Sequence, residues 1–137
     1  LSNRSGRSSR RGSWRIADDL PSSFRYAAQG LLYAFVSQRN FQIHVLLGTL
    51  SLLLGFWLQL ELNHMAILVL TVAAVLVLEL LNTAIEAVVD LSIGRRFHPL
   101  ARIAKDCAAG AVLVSSISSL MIAAFLLLPT PAKPSVV

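Results

Sequence analysis

Four polar side chains carry the chemical potential of this chain: Glu79, Asn82, Glu86 and Asp90, set in otherwise apolar sequence. Their offsets of three, seven and eleven residues, at about 100° per residue, place them on a helix within an arc of about 80°. Along the axis they climb ~16 Å at ~1.5 Å per residue. Spacing therefore predicts one continuous polar stripe, with Leu, Ile, Ala and Val covering the remaining faces. Carboxylates at membrane depth cost about 2.5–3.5 kcal/mol each on the most lenient insertion scale. An aligned set of them is hard to account for by stability. It points to cation binding, to a proton relay, or to acid–base chemistry beside a metal.

A second charged pair, Lys105-Asp106, follows a basic segment holding Arg95, Arg96 and Arg102. A cation and a carboxylate at the level of Glu86 and Asp90 suit a nucleotide phosphate with Mg²⁺. Soluble nucleotide folds are excluded. Neither of the two lysines, Lys105 and Lys133, follows a phosphate-binding Gly-rich loop, and no kinase catalytic-loop motif is present. His44, His64 and His98 are too scattered for a histidine metal site and read as interfacial residues. The single Cys107 excludes an intramolecular disulfide and any multi-cysteine metal site.

The elements that must position these groups are membrane helices. Of 137 residues, 55% are hydrophobic and only 14% charged, against about a quarter charged in an ordinary soluble domain. Mean hydropathy is +0.69. The predicted fold class is all-α and integral to a membrane. Spans are expected over residues 43–60, 65–89 and 108–128, each close to the ~20 residues that cross a ~30 Å hydrocarbon core. The segment 61–64 reads as a short polar hairpin and 91–106 as a basic loop. Ahead of the spans, Pro21-Ser22-Ser23 reads as a helix start. Phe24, Ala27, Ala28, Leu31, Leu32 and Phe35 then recur at helical spacing, predicting an amphipathic interfacial helix over 22–38. Residues 1–13 read as disordered within a basic tail assigned to 1–21, and 129–137 as a Pro-rich tail. Residues 1–15 lack the apolar region of a secretory signal peptide.

Net charge is +5. Its arginines cluster in the N-terminal tail and the 91–106 loop, with no aromatic-interleaved basic face, so nucleic acid is not the expected partner. The distribution fits a positive-inside bias, which predicts a cytoplasmic N-terminus and a cytoplasmic 91–106 loop. The acidic stripe then runs from within the membrane to its cytoplasmic edge. Residues 65–78 contain no polar side chain except Thr71, which argues against a non-enzymatic subunit conducting protons or cations across the bilayer. A membrane anchor whose Arg-rich tail recruits a partner is a further reading. Three helices cannot enclose a wide polar stripe, so oligomerisation is expected.

The run Glu79-Leu-Leu-Asn-Thr-Ala-Ile-Glu-Ala-Val-Val-Asp90, followed by Phe97-His-Pro-Leu-Ala-Arg-Ile-Ala-Lys-Asp106-Cys-Ala-Ala-Gly-Ala-Val-Leu-Val114, resembles the bacterial diacylglycerol kinase / undecaprenol kinase family. The resemblance covers roughly residues 22–128. It implies a homotrimer in the bacterial cytoplasmic membrane. It also implies direct transfer of the γ-phosphoryl of MgATP to a lipid hydroxyl at the cytoplasmic surface. By motif position Glu79 is implied as general base with Asn82 beside it, and Glu86 as Mg²⁺ ligand. Asp90, Lys105 and Asp106, with Glu86, are implied at the nucleotide. Gln38, in Ser37-Gln38-Arg39-Asn40-Phe41, stands where the family usually has a second metal-binding Glu. An amide oxygen still coordinates Mg²⁺ but brings no charge, which predicts weaker metal binding there. The segments Arg39-Asn-Phe-Gln-Ile-His44 and Phe97-His-Pro-Leu-Ala101 resemble the undecaprenol branch more than the diacylglycerol branch.

Overall fold

In a computed structural model, described over residues 14–129, the chain is all-helical: α1 Trp14–Ser37, α2 Arg39–Trp57, α3 Leu62–Ile93 and α4 Pro99–Leu127. The expected tail over 1–13 and most of the Pro-rich end lie outside the described residues. Two units form, one up to Tyr33 and one from Ala34 onward. α2, α3 and α4 are each long and apolar enough to cross a membrane.

In the first unit, α1 begins at Trp14 rather than at residue 22 and carries Pro21 inside it. Proline holds φ near the helical value and removes one backbone donor, so it kinks a helix without having to start or end one. Ser23 Oγ donates to the Asp19 carbonyl at 2.8 Å, and the Arg25 guanidinium lies 5.4 Å from the Tyr26 ring centroid.

Within the second unit, α1 and α2 are separated only by Gln38, whose extended backbone (φ −109°, ψ 106°) caps α2 without a side-chain bond to it. The break is stapled by Gln42, whose Nε2 donates to the Phe35 carbonyl at 2.7 Å. α3 lies between the other two helices and packs along both. Gly48 and Gly55 bring α2 against it. A Cβ at Gly48 would fall 2.5 Å from Val72 Cγ1, and one at Gly55 would fall 2.9 Å from Met65 Sδ. Among the described residues, buried apolar side chains are few: Ala34, Phe41, Leu68, Val75 and Ala108. Most large apolar residues of α2–α4 face outward. That is the arrangement of helices whose surroundings are themselves apolar.

Both connections differ from their expected places. The chain reverses over residues 58–61, ahead of the expected 61–64 hairpin. Gln59 adopts φ 56° and Leu60 N donates back to the Gly55 carbonyl at 3.1 Å, which closes α2. Asn63 and His64 already belong to α3. The expected 91–106 loop is short. α3 ends at Gly94 (φ 58°), and α4 starts at Pro99 rather than at residue 108. His98 Nδ1 accepts from Leu100 N at 3.2 Å, and proline occupies the first turn, where a missing N–H costs nothing. At ~1.5 Å per residue α3 is about 48 Å long, well beyond a ~30 Å hydrocarbon core. The helix is therefore several turns longer than a membrane span requires.

Candidate active site

Glu79 is the one buried charged residue among the described residues, with 4% of its surface exposed. α3 presents it inward one turn after Val75, between α2 and α4. His44 of α2 approaches with Nε2 3.3 Å from Glu79 Oε1. The distance is that of an ion pair, but the ring N–H is not aimed at the oxygen, and Glu79 Oε1 is left without a hydrogen-bond partner. The same Nε2 lies 3.5 Å from Ser116 Oγ of α4. Thr83 Oγ1 donates to the Glu79 carbonyl at 3.0 Å and so turns back onto its own helix.

One turn along, Asn82 Nδ2 donates to Glu86 Oε1 at 3.1 Å. The ionised carboxylate accepts only, so the amino group of Asn82 must be the side that faces it. Asn82 Oδ1 is then buried and unpartnered. Two neighbouring turns thus each hold an acceptor with nothing to accept from, a costly arrangement in an apolar place. It suits a site that receives a donor or a cation from outside the chain.

At the end of α3 the pattern inverts. Asp90 Oδ1 accepts from Lys105 Nζ of α4, with Asp90 61% and Lys105 39% exposed. Arg102 and Asp106 form a more exposed pair at 3.6 Å. Arg102, Lys105 and Asp106 border an open cavity that includes Arg96, Phe97 and His98. The helical start at Pro99 is what sets Lys105 and Asp106 on successive positions of a rigid helix instead of a loop.

The expected residues are therefore brought together in pairs: Asn82 with Glu86, Asp90 with Lys105, and Glu79 at the head of the same stripe. Gln38 stands apart. No hydrogen bond or ion pair among the described residues ties its side chain to Glu86. Nor do three His, Cys, Asp or Glu side chains gather as a metal cage among the described residues. Sequence reasoning read His44 as interfacial and passed over Ser116. The available signal was periodicity, because His44 lies one turn before Gly48 on the face of α2 that packs closest to α3.

Residues 25–127 match the family described as prokaryotic diacylglycerol kinase. The chain belongs to that family. It is 50% identical over 120 residues to a diacylglycerol kinase of Synechocystis sp., covering 88% of this chain and 69% of that one. It is 42% identical over 107 residues to an undecaprenol kinase of Bacillus subtilis, covering 78% and 86%. It is 35% identical over 92 residues to a diacylglycerol kinase of Escherichia coli, covering 67% and 75%. This member of the family is a lipid kinase and a membrane protein, with ATP as its phosphoryl donor.

Proposed function

We propose that this chain transfers the γ-phosphoryl of MgATP directly to the hydroxyl of a membrane lipid, with undecaprenol as the favoured acceptor and diacylglycerol next. The observation that carries the reading is Glu79, enclosed between helices with an unpartnered carboxylate oxygen, at the head of a stripe that ends beside Lys105. Glu79 is the general base. As it takes the proton of the lipid hydroxyl, that oxygen forms a bond to the γ-phosphorus. The bond from phosphorus to the β–γ bridging oxygen breaks, and ADP leaves with the electron pair. Water is scarce between apolar helices, so fixed donors and charges stabilise the transferring group more strongly there than in bulk solvent.

Lys105 meets the phosphates and is held toward them by Asp90, while Asp106 completes the nucleotide end. Asn82 orients Glu86. The donor set fits a Mg²⁺ that arrives with the nucleotide, because such an ion takes one or two carboxylates and completes its shell with phosphate oxygens and water. Glu86 would supply the carboxylate, and Gln38, which stands apart from it here, would offer at most an uncharged second contact. Such an ion would offset phosphate charge, and Glu86, oriented by Asn82, would hold it.

The wider setting belongs to the same reading. The enzyme lies in the bacterial cytoplasmic membrane with its N-terminus in the cytoplasm, and α1 rests as an amphipathic helix at the interface. Three copies assemble, covering the outward apolar faces and enclosing the stripe. Undecaprenol is favoured on the segments 39–44 and 97–101. The decisive assay supplies purified protein with MgATP and either undecaprenol or diacylglycerol. Phosphorylation of undecaprenol at the higher kcat/KM is the expected result. No phosphorylated lipid from either alcohol would sink the proposed reaction.

A further inference from the structure

Each of the three spanning helices sends one side chain to the same point. His44 comes from α2, Glu79 from α3 and Ser116 from α4, with His44 Nε2 3.3 Å from Glu79 Oε1 and 3.5 Å from Ser116 Oγ. Counting protons assigns their roles. Ser116 has one hydroxyl hydrogen, and it goes to the Val112 carbonyl at 2.8 Å. Toward His44, Ser116 is thus an acceptor. An ionised Glu79 is likewise an acceptor only. The nitrogen that faces both must then carry a hydrogen, which fixes the tautomer of a neutral His44 with the proton on Nε2.

Packing does not hold the ring by itself. The ring borders a cavity of ≈ 110 Å³ that Leu47, Gly48, Val72, Val75 and Ser116 also line. Gly48 sets the separation of α2 from α3 one turn from His44, since a Cβ there would meet Val72 Cγ1 at 2.5 Å. Separation is fixed by the backbone, and ring orientation is left to Ser116.

We propose that His44, steadied by Ser116, is a positioning residue for the acceptor-side carboxylate. Its Nε2–H turns from Ser116 to Glu79 Oε1 and holds that oxygen, leaving the second carboxylate oxygen to take the proton of the lipid hydroxyl. His44 receives no proton in this step. The lipid hydrogen goes to Glu79, and the imidazole keeps its own. The inference rests on the reading of Glu79 as the base, and the test separates the two.

The full chain in detergent–lipid micelles is assayed with MgATP and its lipid alcohol, and kcat is measured apart from KM for ATP. His44→Leu should lower kcat by about 10–100-fold, the worth of one hydrogen bond to a charged group, with KM for ATP unchanged. His44→Gln restores an N–H at similar reach and should recover most of that loss. Ser116→Ala should fall between wild type and His44→Leu. A wild-type kcat in His44→Leu, or equal losses in the Leu and Gln variants, overturns the inference. Should His44→Leu not assemble, Ser116→Ala decides, and an unchanged kcat there overturns it. Full activity in Glu79→Gln would instead remove the base assignment itself.

Discussion

Glu79 and Asp90 are carboxylates on one face of α3, about three turns apart, yet their surroundings are opposite. Glu79 is enclosed, close to a histidine that does not complete a hydrogen bond to it, and one of its oxygens is unpartnered. Asp90 is mostly exposed and already paired with Lys105. An enclosed, unsatisfied group pays a standing cost in stability and is ready for a partner that brings a donor. An exposed, satisfied pair costs little and contributes little to stability, but it sits where a soluble molecule can enter and leave. The contrast matches the two substrates of a lipid kinase, one confined to the membrane and one arriving from water.

The largest test of this contrast is Glu79→Gln. The amide keeps the size of the side chain and cannot serve as base, so kcat should fall by about 10²–10⁴-fold while the protein still purifies as the same oligomer. Retained turnover would move the base elsewhere. At the open end, Lys105→Met removes the cation proposed to meet the phosphates. It should cost about 10–100-fold, the worth of one charge-assisted hydrogen bond, mainly through KM for ATP. An equal rise in the lipid KM would show that the two ends are not separate.

Gly48→Ala probes the enclosed end through the backbone. Val72 is β-branched and stiff at χ1, so it cannot move aside cheaply from a Cβ at 2.5 Å. The helices must part, at a cost of about 1–3 kcal/mol in overpacking. Thermal unfolding should show the loss, and kcat should drop with it as His44 moves from Glu79. A lowered Tm with unchanged kcat would mean that the α2–α3 separation does not matter to the chemistry.

Much of the architecture was readable because it depends on solvent and periodicity. Three apolar runs give three helices, and offsets of three and four put Glu79, Asn82, Glu86 and Asp90 on one face. What escaped depended on neighbours or on helices longer than a membrane span requires. Charges at Arg102, Lys105 and Asp106 read as loop, yet a helix started by His98 and Pro99 carries them without interruption. Pro21 read as a beginning although helix extends to both sides of it. His44 read as interfacial because a lone histidine near the end of an apolar run usually is. Its contact with Glu79 exists only because two helices meet closely at Gly48, and single-chain spacing does not report that meeting.

The smallest expected effect concerns Gln38, the residue that departs from the family pattern and touches neither end of the stripe. Gln38→Glu places a carboxylate at the N-cap of α2, where the helix dipole alone should add about 0.3–1 kcal/mol. Stability should therefore rise slightly whether or not the position meets a metal, so Tm without Mg²⁺ is the baseline. The informative quantity is the Mg²⁺ dependence of turnover. A carboxylate that reaches the ion replaces a neutral oxygen by a charged one, and half-maximal activity should shift to a Mg²⁺ concentration lower by about tenfold, the worth of ~1.4 kcal/mol. With identical Mg²⁺ curves in the two proteins and only the baseline Tm raised, position 38 acts as a helix cap alone. The metal would then depend on Glu86 and the nucleotide, with no second side chain from the start of α2.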